Sequence, residues 1–385
     1  MDQVNLNSNK QKNGPNSRYI YLALSKLKTN EIKALNEIKE IYGGFSPLLG
    51  LSVEKINSDT NINKKIATNI LTVLEDFEKK GAEEESKLKD IGADFITIAD
   101  EDYPPLLLDL IDPPIVLYIK GKLPDISSPR IAVVGSRNAD SYGLEASYRI
   151  SKGLAQEGCS VISGMARGID GASHSGCLAG NGKTVAVLGC GIDIIYPPEH
   201  ASLAEKICKN GAIITEYPLG TTPFKANFPK RNRIIAGMSL GVLVVQADIR
   251  SGSLSTASQA LEYGREVMAV PGSIFNQLSI GTHGLLKDGA HPVENALDVL
   301  RFLNLKEEPK EKKQKKTEEK PELEGQLKLI YEATDGFKTT NQIAEELSLP
   351  AGMLLSGLSH LESEGYIKRC KNGVFIKNWR ICRKN

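Results

Sequence analysis

The sequence predicts an α/β protein: an extended, Rossmann-like doubly wound parallel sheet, preceded by a small helical domain and followed by a winged-helix-like domain. Three observations carry this expectation. Between Ile131 and Phe302, short apolar runs of strand length alternate with helix-compatible segments. Each run ends in a turn bearing glycine, proline or charge. The flanking regions show helical spacing of apolar residues instead.

The runs are Ile131 to Val134, Cys159 to Ser163, Thr184 to Leu188, Ala212 to Thr215, Val242 to Gln246 and Val267 to Val270. The turns after them include Gly135-Ser136-Arg137, Gly164 to Gly168, Gly189-Cys190-Gly191, Glu216-Tyr217-Pro218, Asp248 to Gly252 and Pro271-Gly272-Ser273. In a parallel sheet these turns share the edge at the carboxyl ends of the strands, where such folds bind ligands.

The expected boundaries follow from shifts in composition. Residues 1–17 are a polar, disordered tail, and 18–95 form a helical domain of sterile-alpha-motif or helix-hairpin-helix type, with apolar positions such as Tyr21, Leu24, Ile32, Leu35 and Ile38 on helix faces. Residues 96–304 form the sheet domain. Its entry, Tyr103-Pro104-Pro105 and Asp112-Pro113-Pro114 followed by Ile115 to Tyr118, is expected to clamp the sheet as an edge strand, because paired prolines force extended backbone. Lysines and glutamates with little apolar content make 305–322 a linker. In 323–385, three helical faces and a hairpin turning at Lys371-Asn372-Gly373 suggest a winged helix. Its third helix, from Pro350 to His360, has no lysine or arginine, which favours a protein contact, while Lys368, Arg369 and Lys371 in the wing favour duplex DNA.

Composition narrows the function classes. A formal charge of +1 over 385 residues gives no global basic field, so polyanion binding must be local, and a DNA-coating role is disfavoured. The six cysteines form no CxxC pair and none lies near a histidine at ligand spacing, so no metal is expected and a reducing cytoplasm is. No apolar run approaches membrane-spanning length.

The local basic element is Thr222 to Arg233. Lys225, Lys230, Arg231 and Arg233, with Phe224 and Phe228, stand within ten residues immediately before a helical run, interleaved with Asn227 and Asn232. Cations that track phosphates and rings that stack on bases are the composition of a single-strand nucleic-acid groove, each stacked base being worth about 1–3 kcal/mol. Gly135, Ser136 and Arg137 offer close backbone approach, a hydroxyl and a guanidinium at a helix start, where a phosphate is favoured. Ser163 and Gly164 with Arg167 give a second such turn, and Ser251 and Gly252 a hydroxyl-rich helix start that either caps or holds a phosphate. Neither GxGxxG nor a Walker A sequence is present, which disfavours NAD and ATP and leaves no cofactor expected. Asp170 and His174, four apart on one helix, read as a helix-start acid and a hydrogen-bonded histidine, since neither a third ligand nor a nucleophile accompanies them; no catalytic residue is assigned.

The set Val134 to Arg137, Ser163 to Asp170, Tyr196-Pro197, Pro223 to Ala236, Ser251 to Ala257, Ala269 to Gly272 and Gly289-Ala290 resembles the bacterial DNA-processing protein A (DprA/Smf) family over about residues 100 to 302. The resemblance implies a homodimer that binds single-stranded DNA and loads the RecA recombinase during natural transformation. It places Gly135, Ser136, Arg137, Ser163 and Gly164 at phosphates, lets Lys225, Arg231 and Arg233 add charge, and stacks Phe228 on a base. It departs at Gln246, where a glutamate is expected, and at His283, where an asparagine is expected. It also implies a dimer contact late in the domain, where Ile274, Phe275, Leu278, Ile280, Leu285 and Leu286 either face a partner or close the sheet. The alternative is a nucleotide-binding or nucleotide-hydrolysing enzyme of the lysine-decarboxylase-like Rossmann group, whose Pro-Gly-Gly motif with a nearby glutamate is not matched.

Overall fold

The computed structural model describes residues 17–27, 29–306, 323, 325–334, 338–369 and 375–377, which fall into two compact units, one up to Glu307 and one from Glu308 onward. Residues 1–16 of the expected tail 1–17, most of the linker, Cys370, Cys382 and the Lys371-Asn372-Gly373 turn lie outside the described residues, and Ser17 begins the first helix.

The first unit opens with five helices: α1 (Ser17–Leu24), α2 (Thr29–Tyr42), α3 (Val53–Asp59), α4 (Lys64–Val73) and α5 (Phe77–Asp90). Two strands follow, β1 (Asp94–Thr97) and β2 (Val116–Gly121). The alternating part then runs β3 (Arg130–Val134), α6 (Ser141–Gln156), β4 (Ser160–Ser163), α7 (Ile169–Ala179), β5 (Thr184–Val187), α8 (Ala201–Lys209), β6 (Gly211–Thr215), α9 (Asn227–Gly237), β7 (Gly241–Val244), α10 (Gly252–Glu262), β8 (Glu266–Ala269), α11 (Ile280–Lys287), β9 (His291–Pro292) and α12 (Ala296–Phe302). All six expected strands are present within a residue or two of their anticipated ends.

Among the described residues these strands form one nine-stranded sheet in the order β1-β2-β6-β5-β4-β3-β7-β8-β9. From β6 to β9 the pairing is parallel. The chain winds outward from β3 in one direction through β4, β5 and β6 and in the other through β7 and β8, so the strand order reverses between β3 and β7. Period-two alternation puts Ile131 and Val133 on one face, with α6, α7 and α12, and Ala132 and Val134 on the other, with α9 and α10. Both faces are covered, which is why the central strands read as continuous apolar runs.

One expectation is corrected. The proline-rich entry does not supply the edge strand: β2 pairs antiparallel with β6 on one side and β1 on the other, leaving β1 at the edge. The N-terminal helices pack against the sheet. Ile20, Leu24, Leu35, Ile38 and Leu88 share one hydrophobic cluster with Tyr118, Ala186 and Ile213 of the sheet, and the buried Tyr118 hydroxyl donates to Glu84 on α5 at 2.7 Å. Helical spacing marks an apolar face and carries no information on what that face covers.

The second unit contains α13 (Gly325–Ala333), α14 (Thr340–Leu347), α15 (Ala351–Ser363) and the antiparallel pair β10 (Ile367–Arg369) and β11 (Phe375–Lys377). Thr339 and Gln342 form a capping box at the start of α14. The core is Ile330, Ile343, Leu354, Leu358, Leu361, Ile367 and Phe375.

Candidate nucleic-acid interface

The site lies at the carboxyl rim of the sheet, around the β3/β7 reversal. After β3 the backbone squeezes between neighbours: a Cβ at Gly135 would come within 2.6 Å of the Ile169 side chain and 2.8 Å of the Gln246 carbonyl. Ser136 then donates its backbone N–H to that carbonyl at 2.7 Å, and the Ser136 carbonyl accepts from Ile169 at the start of α7. Arg137 follows, exposed, on a turn whose backbone is bonded on both sides.

The aromatic element comes from the other end of the rim. Beyond β6 the chain passes the exposed Phe224 and Lys225 and enters α9 at Asn227, whose side chain donates to the Gly189 carbonyl beyond β5 at 3.1 Å. This fixes Phe228, half-buried, so that the Arg137 guanidinium stands over its ring, 5.1 Å from the centroid. Tyr196, from the segment between β5 and α8, packs its ring 5.7 Å from that of Phe228 at an interplanar angle of 37°. Two rings and a cation contributed by three separate segments therefore meet at one place. A guanidinium within about 6 Å of a ring centroid is attracted by the ring's quadrupole.

Several residues expected to line the DNA site are turned inward. Arg231 is 4% exposed and donates to the carbonyls of Gly164 (2.8 Å) and Val187, clamping the ends of β4 and β5 together beneath the rim. Burial pulls its guanidinium down to about 10, still charged at neutral pH. Arg233 pairs with Glu216 at 2.7 Å and Asp112 at 3.2 Å and is spent on anchoring α9 to the segment ahead of β2. The Ser163 hydroxyl donates to the Val133 carbonyl, and Asn232 donates to the Gly252 carbonyl. The Gly164 N–H donates to Asp170. Their polar groups are used inside the protein, so they shape the rim.

Arg137, Lys225, Lys230 and Arg167 remain at the surface, with Arg167 ion-paired to Glu199. Ser251 caps α10, sharing a hydrogen bond with Ser253 at 2.8 Å, and Gly252 is open to the surroundings. Asp170 accepts from the backbone of Gly164 and Ala166, which matches the helix-start reading. His174 is fully buried and donates from Nδ1 to Thr184 Oγ1 at 2.7 Å, because that hydroxyl gives its own hydrogen to Val161. Burial pushes its imidazole down to about 3, so it is neutral. The thiols of Cys159, Cys177 and Cys190 are pushed up to about 11 by burial and are not nucleophilic near neutral pH.

The two departures are structural. Gln246 bonds Asp140 through both ends of its amide, and His283 shares a hydrogen bond with the Gly272 carbonyl. Tyr196 is a contact the sequence did not assign beyond its place in the Tyr196-Pro197 pair. Its position past the end of β5 was the available signal. Of the apolar set 274 to 286, Ile274 and Phe275 stand on the loop after β8, Leu278 on a short turn, and Ile280, Leu285 and Leu286 on α11.

A doubly wound parallel sheet with glycine turns, a guanidinium and two rings gathered at its carboxyl rim defines a Rossmann-like α/β protein. This chain belongs to the DNA recombination-mediator protein A family, whose model matches residues 94–304. It is 39% identical over 288 residues to the protein Smf of Escherichia coli, covering 73% of this chain and 76% of that one. It is 43% identical over 204 residues to the DNA processing protein DprA of Streptococcus pneumoniae, covering 53% of this chain and 72% of the relative. The crystal structure of the Streptococcus pneumoniae DprA matches with a TM-score of 0.63 at 34% identity, covering 74% of this chain and 96% of that one.

Proposed function

We propose that this chain binds single-stranded DNA along the carboxyl rim of its sheet and, as a cytoplasmic homodimer, delivers it to the RecA recombinase during DNA processing and natural transformation. The observation that carries the reading is the Arg137 guanidinium seated on Phe228, with Tyr196 beside it and Lys225 exposed one turn ahead on the same segment. A guanidinium for a phosphate and a ring for a base, side by side, are what an unpaired strand offers partners for, whereas a duplex hides its base faces. Family membership supports the DNA substrate. RecA and the dimer rest on the family resemblance.

The dimer surface we assign to α11 and its approach, Leu278, Ile280, Leu285 and Leu286, of which Ile280 is 46% exposed. The second unit we read as a winged helix that contacts protein: its third helix exposes Met353 and Leu355 and carries no lysine or arginine.

The test is affinity for an oligo-dT probe with Arg137→Ala and Lys225→Glu. Both lose affinity strongly, and the slope of log affinity against log salt falls by about 0.7 for each phosphate contact removed. Unchanged affinity and slope in both variants overturn the reading.

A further inference from the structure

On the loop after β8, Ile274 is 79% exposed and Phe275 is 91% exposed. Exposed loop residues of this kind are ordinarily polar, and here the apolar pair is presented rigidly. The Asn276 side chain accepts from the Leu278 N–H at 3.0 Å and donates to Asp140 Oδ2 at 2.7 Å. Asp140 is itself the cap of α6, three residues past Arg137, and its other oxygen accepts from Gly143 N–H and Gln246 Nε2, both at 2.9 Å. The Ala247 N–H donates to the Leu278 carbonyl at 2.8 Å, and the Tyr142 hydroxyl donates to the Pro271 carbonyl at 2.6 Å. The loop is thus tied to the segment that carries Arg137.

We propose that Phe275, backed by Ile274, is a second base-stacking point on the strand path that passes Arg137, rather than part of a self-association surface. The inference rests on the single-strand reading above and extends it along the rim. β8 is the second strand from β3, so the two loops are about 10 Å apart across the sheet at the usual interstrand spacing. Between them the loop after β7 exposes Ile249 and Arg250. Tyr196 and Phe228 lie on the opposite flank, beyond β5 and β6. A strand crossing the rim perpendicular to the β-strands therefore meets rings on both flanks, with Arg137 and Arg250 between them and the exposed Asp248 accepting from the Arg250 backbone N–H. Residues 271–280, Pro-Gly-Ser-Ile-Phe-Asn-Gln-Leu-Ser-Ile, contain no acid to repel its phosphates. Continuity with the Arg137 site favours polynucleotide over a second copy of the chain as the occupant.

The experiment uses the full chain, an oligo-dT length series read by fluorescence anisotropy, and mass by light scattering at the same protein concentration. Phe275→Ala is expected to match the unsubstituted protein on the shortest oligomers that bind and to lose about 5- to 150-fold on longer ones, the range for one stacked base. Its mass is expected to stay the same. Phe275→Trp, compared with the unsubstituted chain, is expected to show tryptophan quenching by long oligomers and none by short ones. Phe275→Ala with unchanged affinity at every length overturns the proposal. So does a loss of affinity that accompanies a drop in mass, which assigns the pair to self-association. The parent reading is tested separately by Arg137→Ala: if that variant binds all lengths normally, the single-strand site itself falls, whereas its failure to bind beside a silent Phe275→Ala removes only the second stacking point.

Discussion

The Arg137 guanidinium rests 5.1 Å from the Phe228 ring centroid, although the two residues follow β3 and β6, which have β4 and β5 between them in the sheet. The contact joins the glycine turn at the strand-order reversal to the start of the basic helix. It makes the two halves of the candidate site one surface.

Charge and ring should therefore separate experimentally. Phe228→Leu keeps an apolar side chain in place and removes the π face. It is expected to weaken oligo-dT binding by about 1–3 kcal/mol with little change in salt slope. Arg137→Ala should lower both affinity and slope. Titrations at several salt concentrations check this, and a Phe228→Leu slope that drops as much as that of Arg137→Ala would show the ring acting only as a perch for the cation.

Arg233 is expected to matter for stability and not for DNA contact. Its side chain is 11% exposed between Glu216 and Asp112. Arg233→Met leaves two partly buried carboxylates without their cation, a change that costs about 3–5 kcal/mol where such pairs are buried. Urea unfolding measures the loss. At temperatures where the variant is folded, its oligo-dT affinity should equal that of the unsubstituted chain, and a specific loss of binding would return Arg233 to the interface.

The turn itself can be tested at Gly168, whose φ of +72° lies in the left-handed region and whose absent Cβ leaves room for the Ser136 and Arg137 backbone carbonyls. Gly168→Ala strains the backbone by about 1–3 kcal/mol and pushes against the turn that presents Arg137. Both thermal stability and oligo-dT affinity should fall. A variant as stable and as tightly binding as the parent would show that the turn is not held by this contact.

Acid should destabilise the protein through His174. Its pKa is held near 3 by burial, with His200 and Arg231 adding repulsion, against about 6.5 in the unfolded chain. Between those values the unfolded state binds the extra proton. The stability tied to the neutral imidazole is therefore complete above about pH 6.5 and is lost as pH falls toward 3, by up to about 1.4 kcal/mol per unit. Asp170, whose carboxyl is raised by burial, works in the opposite direction above its unfolded value. His174→Asn keeps a donor for Thr184 and should flatten the dependence in urea unfolding between about pH 6 and 4. An unaltered slope would place the acid sensitivity elsewhere.

Much of the architecture was readable along the chain. The six parallel strands announced themselves because strands covered on both faces must be apolar throughout, and their turns had to fall at one rim because parallel strands share a direction. The same pattern placed Gly135-Ser136-Arg137 and the segment from Lys225 to Phe228 on that rim. What the chain could not show was which cations face outward. Arg231 and Arg233 sit in the same basic run as Lys225 and Lys230, yet α9 turns the two arginines toward the carbonyls of Gly164 and Val187 and the carboxylates of Glu216 and Asp112. Those partners come from remote parts of the sequence, so no local spacing encodes the pairing.

The sequence by itself determined the strands, their common edge and the chemistry gathered there, because periodicity and turn composition are local properties. Only the tertiary structure decided that the N-terminal helices join the core of the sheet, that Tyr196 stands beside Phe228, and that Arg137 and not Arg231 reaches the surface. Each of those depends on which distant groups the folded chain brings within contact distance, and burial then decides whether a charge is spent on the protein or left for a ligand.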